Sequence, residues 1–219
     1  MSSLTLVIGN KNYSSWSLRP WVFLKQNGIV FNEVRVPLFV ETSNDQLAQY
    51  NSDFKVPVLQ DDDLLIWDSL SILEYLSENY LQSRGWPEDP QARAVARSVS
   101  CEMHSSFMNV RNELPMNCRK RFENVVLTAE AEREIERISA LWQQCRSQYG
   151  GGGEWLFGNY SIADAMFAPI ALRFYGYHIS LGDVEASYVN NVLKQACIIE
   201  WVDAGKMESE IIAEDEIEV

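Results

Sequence analysis

Lys55-Val-Pro-Val-Leu-Gln-Asp-Asp-Asp-Leu-Leu-Ile-Trp-Asp-Ser-Leu-Ser-Ile-Leu-Glu-Tyr-Leu76 reads as strand, turn, strand, cap and helix in unbroken succession. Val56 to Leu59 and Leu64 to Trp67 are short apolar runs joined through Asp61-Asp62-Asp63, which is hairpin spacing with acids in the turn. Asp68 then caps a helix predicted from Ser69 to about Tyr80, with Leu70, Leu73 and Leu76 on one stripe. Upstream, Leu4 to Ile8 is a continuous apolar run suited to a strand buried on both faces. Ser15 to Asn27 reads as a helix: serines stand where an N-cap belongs, Pro20 is placed in the first turn, and Gly28 lies just past the end. Phe31 to Val36 is a second strand. A strand, helix and strand joined this tightly form a right-handed parallel unit. Ser43 to Tyr50 adds a short helix. The order is β-α-β-α-β-β-α, a small mixed sheet covered by helices.

Leu81 to Pro90, with Gly85, Pro87 and Pro90, reads as a linker, and no strand pattern follows it. Ala96, Val99, Met103, Phe107, Val110 and Leu114 recur at helical spacing, as do Ile135, Ile138, Trp142, Cys145 and Tyr149. Gly150 to Gly153 is a flexible break. Ser161-Ile-Ala-Asp164 opens a further helix as a capping box, in which Pro169 predicts a kink. Tyr188 to Val202 is another amphipathic helix. The acidic end is expected to be frayed and solubilising. The organisation is therefore 1–80, an α/β domain; 81–90, a linker; 91–207, an all-helical domain; and 208–219, an acidic tail.

Composition narrows the function. The 219 residues are 47% hydrophobic and 22% charged, which suits a buried core. The net charge of −13 argues against nucleic acid or an anionic membrane as the main partner. Nearly half of that charge lies in residues 208–219, which hold six acids and no base. The opening residues have no basic segment ahead of an apolar run, so no signal peptide is expected. No stretch approaches the roughly 18 apolar residues of a membrane helix. Cys101, Cys118, Cys145 and Cys197 lack zinc-site or redox-motif spacing, consistent with buried or idle thiols in a reducing cytosol. With His104 and His178 the only histidines, no metal site is expected.

Three segments carry candidate chemistry. Asn12-Tyr-Ser-Ser-Trp-Ser-Leu-Arg-Pro-Trp21 places several hydroxyls at a helix N-terminus, where free N–H groups and the positive end of the dipole can hold an anion, including a thiolate. Capping of that helix by Ser14, Ser15 and Ser17 is the competing explanation. Val56-Pro57 opens a strand, where proline costs no ladder bond. A cis bond there would turn the Val56 backbone outward, toward an extended peptide-like ligand, at ~0.5–1 kcal/mol. Ser69, at a helix start, can bind a carboxylate and Asp68 an ammonium group, a pair suited to an α-amino acid head group, although a plain N-cap fits as well. All three fall on one edge of the sheet, where open α/β sheets bind ligands.

Together these residues resemble the cytosolic glutathione transferases over nearly the whole chain: a thioredoxin-like N-terminal domain, a linker and an all-helical domain. Val56-Pro57 is similar to that family's cis-proline turn, Asp68-Ser69 to its acidic-Ser motif for the γ-glutamyl end of glutathione, and Ser161-Ile-Ala-Asp164 to its helical capping box. Ser14-Ser-Trp-Ser-Leu-Arg19 resembles the Ser-Ser-Cys-Ser-Trp-Arg motif of the zeta, or maleylacetoacetate isomerase, class, with Trp16 in place of the Cys. The resemblance implies a transferase using glutathione as co-substrate. It would activate the glutathione thiol for attack on a small, mostly apolar electrophile, in detoxification. Ser14 would donate to the sulfur, with Ser15 as understudy and Tyr13 as a weaker candidate. Val56 and Pro57 would meet the cysteinyl backbone, and Asp68 and Ser69 the γ-glutamyl group. Arg19 matches a motif position without a fixed role. Met103, Phe107, Met108 and Arg111 are candidates to line the second-substrate pocket, though their spacing is equally that of a core stripe. A homodimer is implied by the family alone. Two alternatives stay open: a cis-trans isomerase of the maleylacetoacetate type, and a non-catalytic ligand-binding module of the same fold. Thiol exchange by a protein cysteine is not expected, because the first cysteine is Cys101.

Overall fold

The computed structural model describes residues 4–50 and 53–217. A four-stranded sheet contains β1 (Thr5–Ile8), β2 (Asn32–Arg35), β3 (Val58–Asp61) and β4 (Leu64–Trp67) in the order β2-β1-β3-β4. β1 runs parallel to β2 and antiparallel to β3, and β3 is antiparallel to β4. The unbroken apolar run of β1 has a simple cause. Leu6 and Ile8 face the main core, while Val7 faces the opposite side with Val36, Leu47 and Val58. Both faces are covered, so alternation is lost.

Helix α1 (Ser15–Gln26) links β1 to β2, α2 (Ser43–Leu47) precedes β3, and α3 (Ser69–Tyr80) follows β4. The α2 helix is shorter than predicted. Pro20 lies in the second turn of α1 rather than the first, and the helix passes through it. The thioredoxin-like first half and the helical second half expected from the sequence are both present.

The second half comprises α4 (Pro90–Ser105), α5 (Met108–Glu113), α6 (Ala129–Tyr149), α7 (Ile162–Gly176), α8 (Asp183–Leu193) and α9 (Ala196–Met207). α7 is buried on nearly every side, against α1, α4 and α8, and Pro169 does not interrupt it. The Ser161–Asp164 capping box is formed.

The stripe from Ala96 to Leu114 is buried as its spacing predicts, but on two helices rather than one. The break falls at Ser106–Phe107, where Phe107 takes a left-handed φ of 63°. Charged side chains satisfy both exposed helix ends. Arg111 donates to the carbonyls of Met103, His104 and Ser106 at the end of α4. Glu134 of α6 accepts from Val110 N and Asn109 Nδ2 at the start of α5. The helix predicted over 188–202 is likewise two helices, divided at Lys194–Gln195. The expected frayed tail is corrected too. Residues 208–217 are bound against the loop between β1 and α1 by side chains described below.

Candidate functional site

The antiparallel placement of β3 brings the C-terminal ends of β1 and β4 and the N-terminal end of β3 to one sheet edge. Ser14, the Val56–Pro57 bond and Asp68-Ser69 therefore converge there. The Val56–Pro57 peptide is cis. Because β3 starts at Val58, Val56 stays outside the ladder.

Ser14 is the N-cap of α1. Its Oγ accepts from Ser17 N at 3.4 Å and donates to Ser17 Oγ at 2.8 Å, while Ser17 Oγ accepts from Gly9 N. Capping and anion contact are therefore not exclusive for Ser14: the cap uses an acceptor lone pair and leaves a rotatable proton. Ser15 Oγ accepts from Arg173 Nη2 at 3.3 Å, which leaves its own proton uncommitted to that bond. The Tyr13 phenol is engaged elsewhere. It donates to Glu216 and accepts from Arg119, each at 2.5 Å. Burial and the Glu216 contact hold it above the usual tyrosine range.

Asp68 caps α3 with Oδ1 on Leu70 N, in a left-handed conformation with φ 63°. Its Oδ2 lies 2.7 Å from His104 Nε2 on α4. Asp68 and His104 border an open groove of about 670 Å³, walled also by Leu64, Ile66, Leu70 and Tyr75. Ser69 Oγ accepts from Arg19 Nη1 at 3.5 Å.

Arg19 is 1% exposed and its Nε has no hydrogen-bond acceptor. Its guanidinium stacks 4.2 Å from the Trp16 ring, and Arg111 stacks on the same indole at 4.7 Å. The His104 ring meets Trp16 edge-on. Burial, then Arg111 and Arg173, push the Arg19 pKa well down. Burial and Arg111 bring Arg173 to about 10. Positive charge is thus concentrated between sheet and helices in a chain of net charge −13.

Met103 and Phe107 are core residues, Met108 is exposed, and Arg111 reaches the site through Trp16. The sequence alone assigns no site role to Trp16, His104 or Arg173. Arg173 carried a usable signal, being the one cation in the apolar run of α7. The cysteines are free, with Cys118 and Cys145 held up to about 12 by burial. Among the described residues no three His, Cys, Asp or Glu side chains cluster as metal ligands, and no helix is long and apolar enough to cross a membrane.

A family profile described as "Glutathione S-transferase, N-terminal domain" matches residues 13–79. Rat maleylacetoacetate isomerase is 33% identical over 188 residues, covering 82% of this chain and 83% of that protein. Mouse glutathione S-transferase theta-2 is 40% identical over 175 residues, 74% of this chain and 69% of that protein. Mouse glutathione S-transferase theta-3 is also 40% identical, but over 89 residues and 37% of its length. A glutathione transferase homolog from Burkholderia, solved with bound glutathione, shares the fold. It has a TM-score of 0.71 and 22% identity, over 93% of this chain and 98% of that one.

Proposed function

The chain belongs to the glutathione S-transferase family, and from that membership we propose that it ionises the thiol of bound glutathione for attack on a small electrophile. One observation carries this reading. Ser14 at the start of α1, the Val56–Pro57 turn, and Ser69 backed by the buried Arg19 share one sheet edge.

Each residue has a role in that proposal. Ser69 receives the γ-glutamyl carboxylate at the N-terminus of α3, with the buried Arg19 guanidinium behind it. Asp68 meets the α-amino group. The backbone at Val56, ahead of Pro57, pairs with the cysteinyl residue. Ser14 turns its proton from Ser17 Oγ to the sulfur while continuing to cap α1. Ser15, held by Arg173, is the reserve donor.

The magnitudes are adequate. Lowering a thiol from ~8.5 to ~6.5–7 requires ~2–2.7 kcal/mol. A helix N-terminus contributes ~0.3–1 kcal/mol, up to ~2 when partly buried. A hydrogen bond to a charged group adds ~1.5–3 kcal/mol. Together they suffice. Thiolate, not thiol, is the attacking nucleophile.

A second reading, glutathione-dependent isomerisation of an unsaturated keto acid, is favoured by the Arg19, Arg111 and Arg173 cluster and by the match to an isomerase. Trp16 in the position of the zeta-class Cys distinguishes this chain from that motif. We further propose residues 1–80 as the glutathione domain, 91–207 as the electrophile domain, and a cytoplasmic homodimer acting in detoxification. The exposed Leu64 and Trp67 on edge strand β4 support the dimer.

The test is titration of enzyme-bound glutathione with steady-state turnover on an aryl halide and an unsaturated keto acid. In Ser14→Ala, kcat should fall about 10- to 100-fold, with glutathione affinity within about threefold. An unchanged thiol titration would remove Ser14 from the role. A protein that retains glutathione yet turns over neither substrate would be a binding module.

A further inference from the structure

We propose that Glu208, in the segment following α9, is a positioning residue for the thiol site, acting through the peptide groups of Lys11 and Asn12. The proposal rests on the glutathione-activating reading above and adds to it a residue nearly two hundred positions away.

The loop between β1 and α1 turns tightly at Asn10, whose carbonyl accepts from Tyr13 N at 3.2 Å and Ser14 N at 2.8 Å. The next two N–H groups in that turn, those of Lys11 and Asn12, donate to no carbonyl of the turn itself. Both donate to one carboxylate. Glu208 Oε1 accepts from Lys11 N at 2.8 Å and Oε2 from Asn12 N at 3.0 Å. Glu208 is thus the bidentate anion of a two-amide nest, and its side chain is only 7% exposed.

Neighbouring contacts hold the segment that carries this carboxylate against the turn. Arg119 donates from Nη1 to Glu208 O and from Nη2 to Glu210 O, both at 2.7 Å. Its own backbone N–H donates to Asn12 Oδ1 at 2.9 Å. Arg35 Nη1 lies 3.5 Å from Glu208 Oε1. Gly205, near the end of α9, approaches so closely that a Cβ there would stand 3.0 Å from Asn12 N. Farther along, Glu216 accepts from Tyr13, Asn117 and Lys120. The peptides leading into Ser14 are thus fixed on one side by residues 205–216.

The sign of the thiol shift separates positioning from simple charge. If Glu208 acted only through its field, removing its negative charge would make the bound thiol more acidic. If it acts by fixing the turn that aims Ser14, removing it makes the thiol less acidic.

The experiment is Glu208→Gln in the full chain, with bound glutathione titrated by its thiolate absorbance alongside kcat and KM. In glutamine one acceptor becomes an NH2 facing a backbone N–H. The thiol midpoint should rise by about one unit and kcat should fall about tenfold, with KM for glutathione little changed. Glu210→Gln, which removes a charge from the same segment but leaves both amide bonds to Glu208 in place, should leave the thiol midpoint near that of the parent. A thiol midpoint that stays or falls in folded Glu208→Gln overturns the proposal. If that variant fails to fold, Glu208→Asp decides in its place. It keeps the charge but is too short for both amides, and an unshifted midpoint there overturns the proposal equally. Ser14→Ala separates the two layers: if it moves the midpoint and Glu208→Gln does not, the clasp falls and the thiol reading stands; if neither moves it, both fall.

Discussion

His104 Nε2 lies 2.7 Å from Asp68 Oδ2, so the carboxylate that caps α3 is also tied to α4. Asp68 is bound at both oxygens: Leu70 N fixes one and the imidazole fixes the other. Replacing His104 by Ala leaves the cap but frees the carboxylate to rotate away from its position beside Ser69. KM for glutathione should rise about two- to tenfold, the value of one hydrogen bond, with kcat within about twofold. Steady-state kinetics at fixed electrophile would check this. A fall in KM would mean that the imidazole competes with the ligand's ammonium group.

Arg19 is a buried cation bound through one long hydrogen bond and a stack on Trp16, with two further arginines nearby. Such a charge is costly to keep out of water. Arg19→Met should therefore leave the melting temperature unchanged or raise it. Glutathione affinity should drop by about tenfold or more, as expected for a functional group retained against stability. Thermal unfolding beside a binding titration tests the pair. A lower melting temperature with unchanged affinity would assign Arg19 to structure alone.

Burial brings the Asp164 carboxyl up to about 6 from an ordinary 3.8, only partly offset by bonds from Leu156 N, Ser161 N and the Ser161 hydroxyl. Between about pH 4 and pH 6 the folded state thus holds a proton that the unfolded chain releases. Its contribution to stability is greatest below about pH 4 and declines as pH rises to about 6, on the order of 3 kcal/mol in all. Urea unfolding of the parent and Asp164→Asn across that range should show their stability difference shifting against the parent as pH rises. A difference independent of pH would contradict the assignment.

Much of the first half was legible because its signals are local. Asp68 caps a helix two residues on, and the Asp61–Asp63 turn fixes the hairpin around it. The buried stripe from Ala96 to Leu114 was legible as a face, since spacing alone sets which residues point inward. It was not legible as two helices, because the break depends on Arg111 and Glu134 satisfying helix ends from outside the pattern. Trp16 and His104 are adjacent only once the halves have docked. The acidic segment was misread for the same reason. Glu208 and Glu216 resemble solvated charges until the amides and the phenol near residue 12 are brought against them.

The same clasp bears on how the protein is made. During synthesis the turn at residues 10–13 emerges well before the carboxylate that seals its amides, which is added nearly two hundred residues later. Long-separation contacts of this kind form late and slow the search. A chain still on the ribosome can thus build its sheet and most of its helices while the Lys11 and Asn12 amides are still open. On the proposal made for Glu208, the site would be completed only once residues 208–216 have been added, and a chain lacking them would hold the fold with those two amides unsealed.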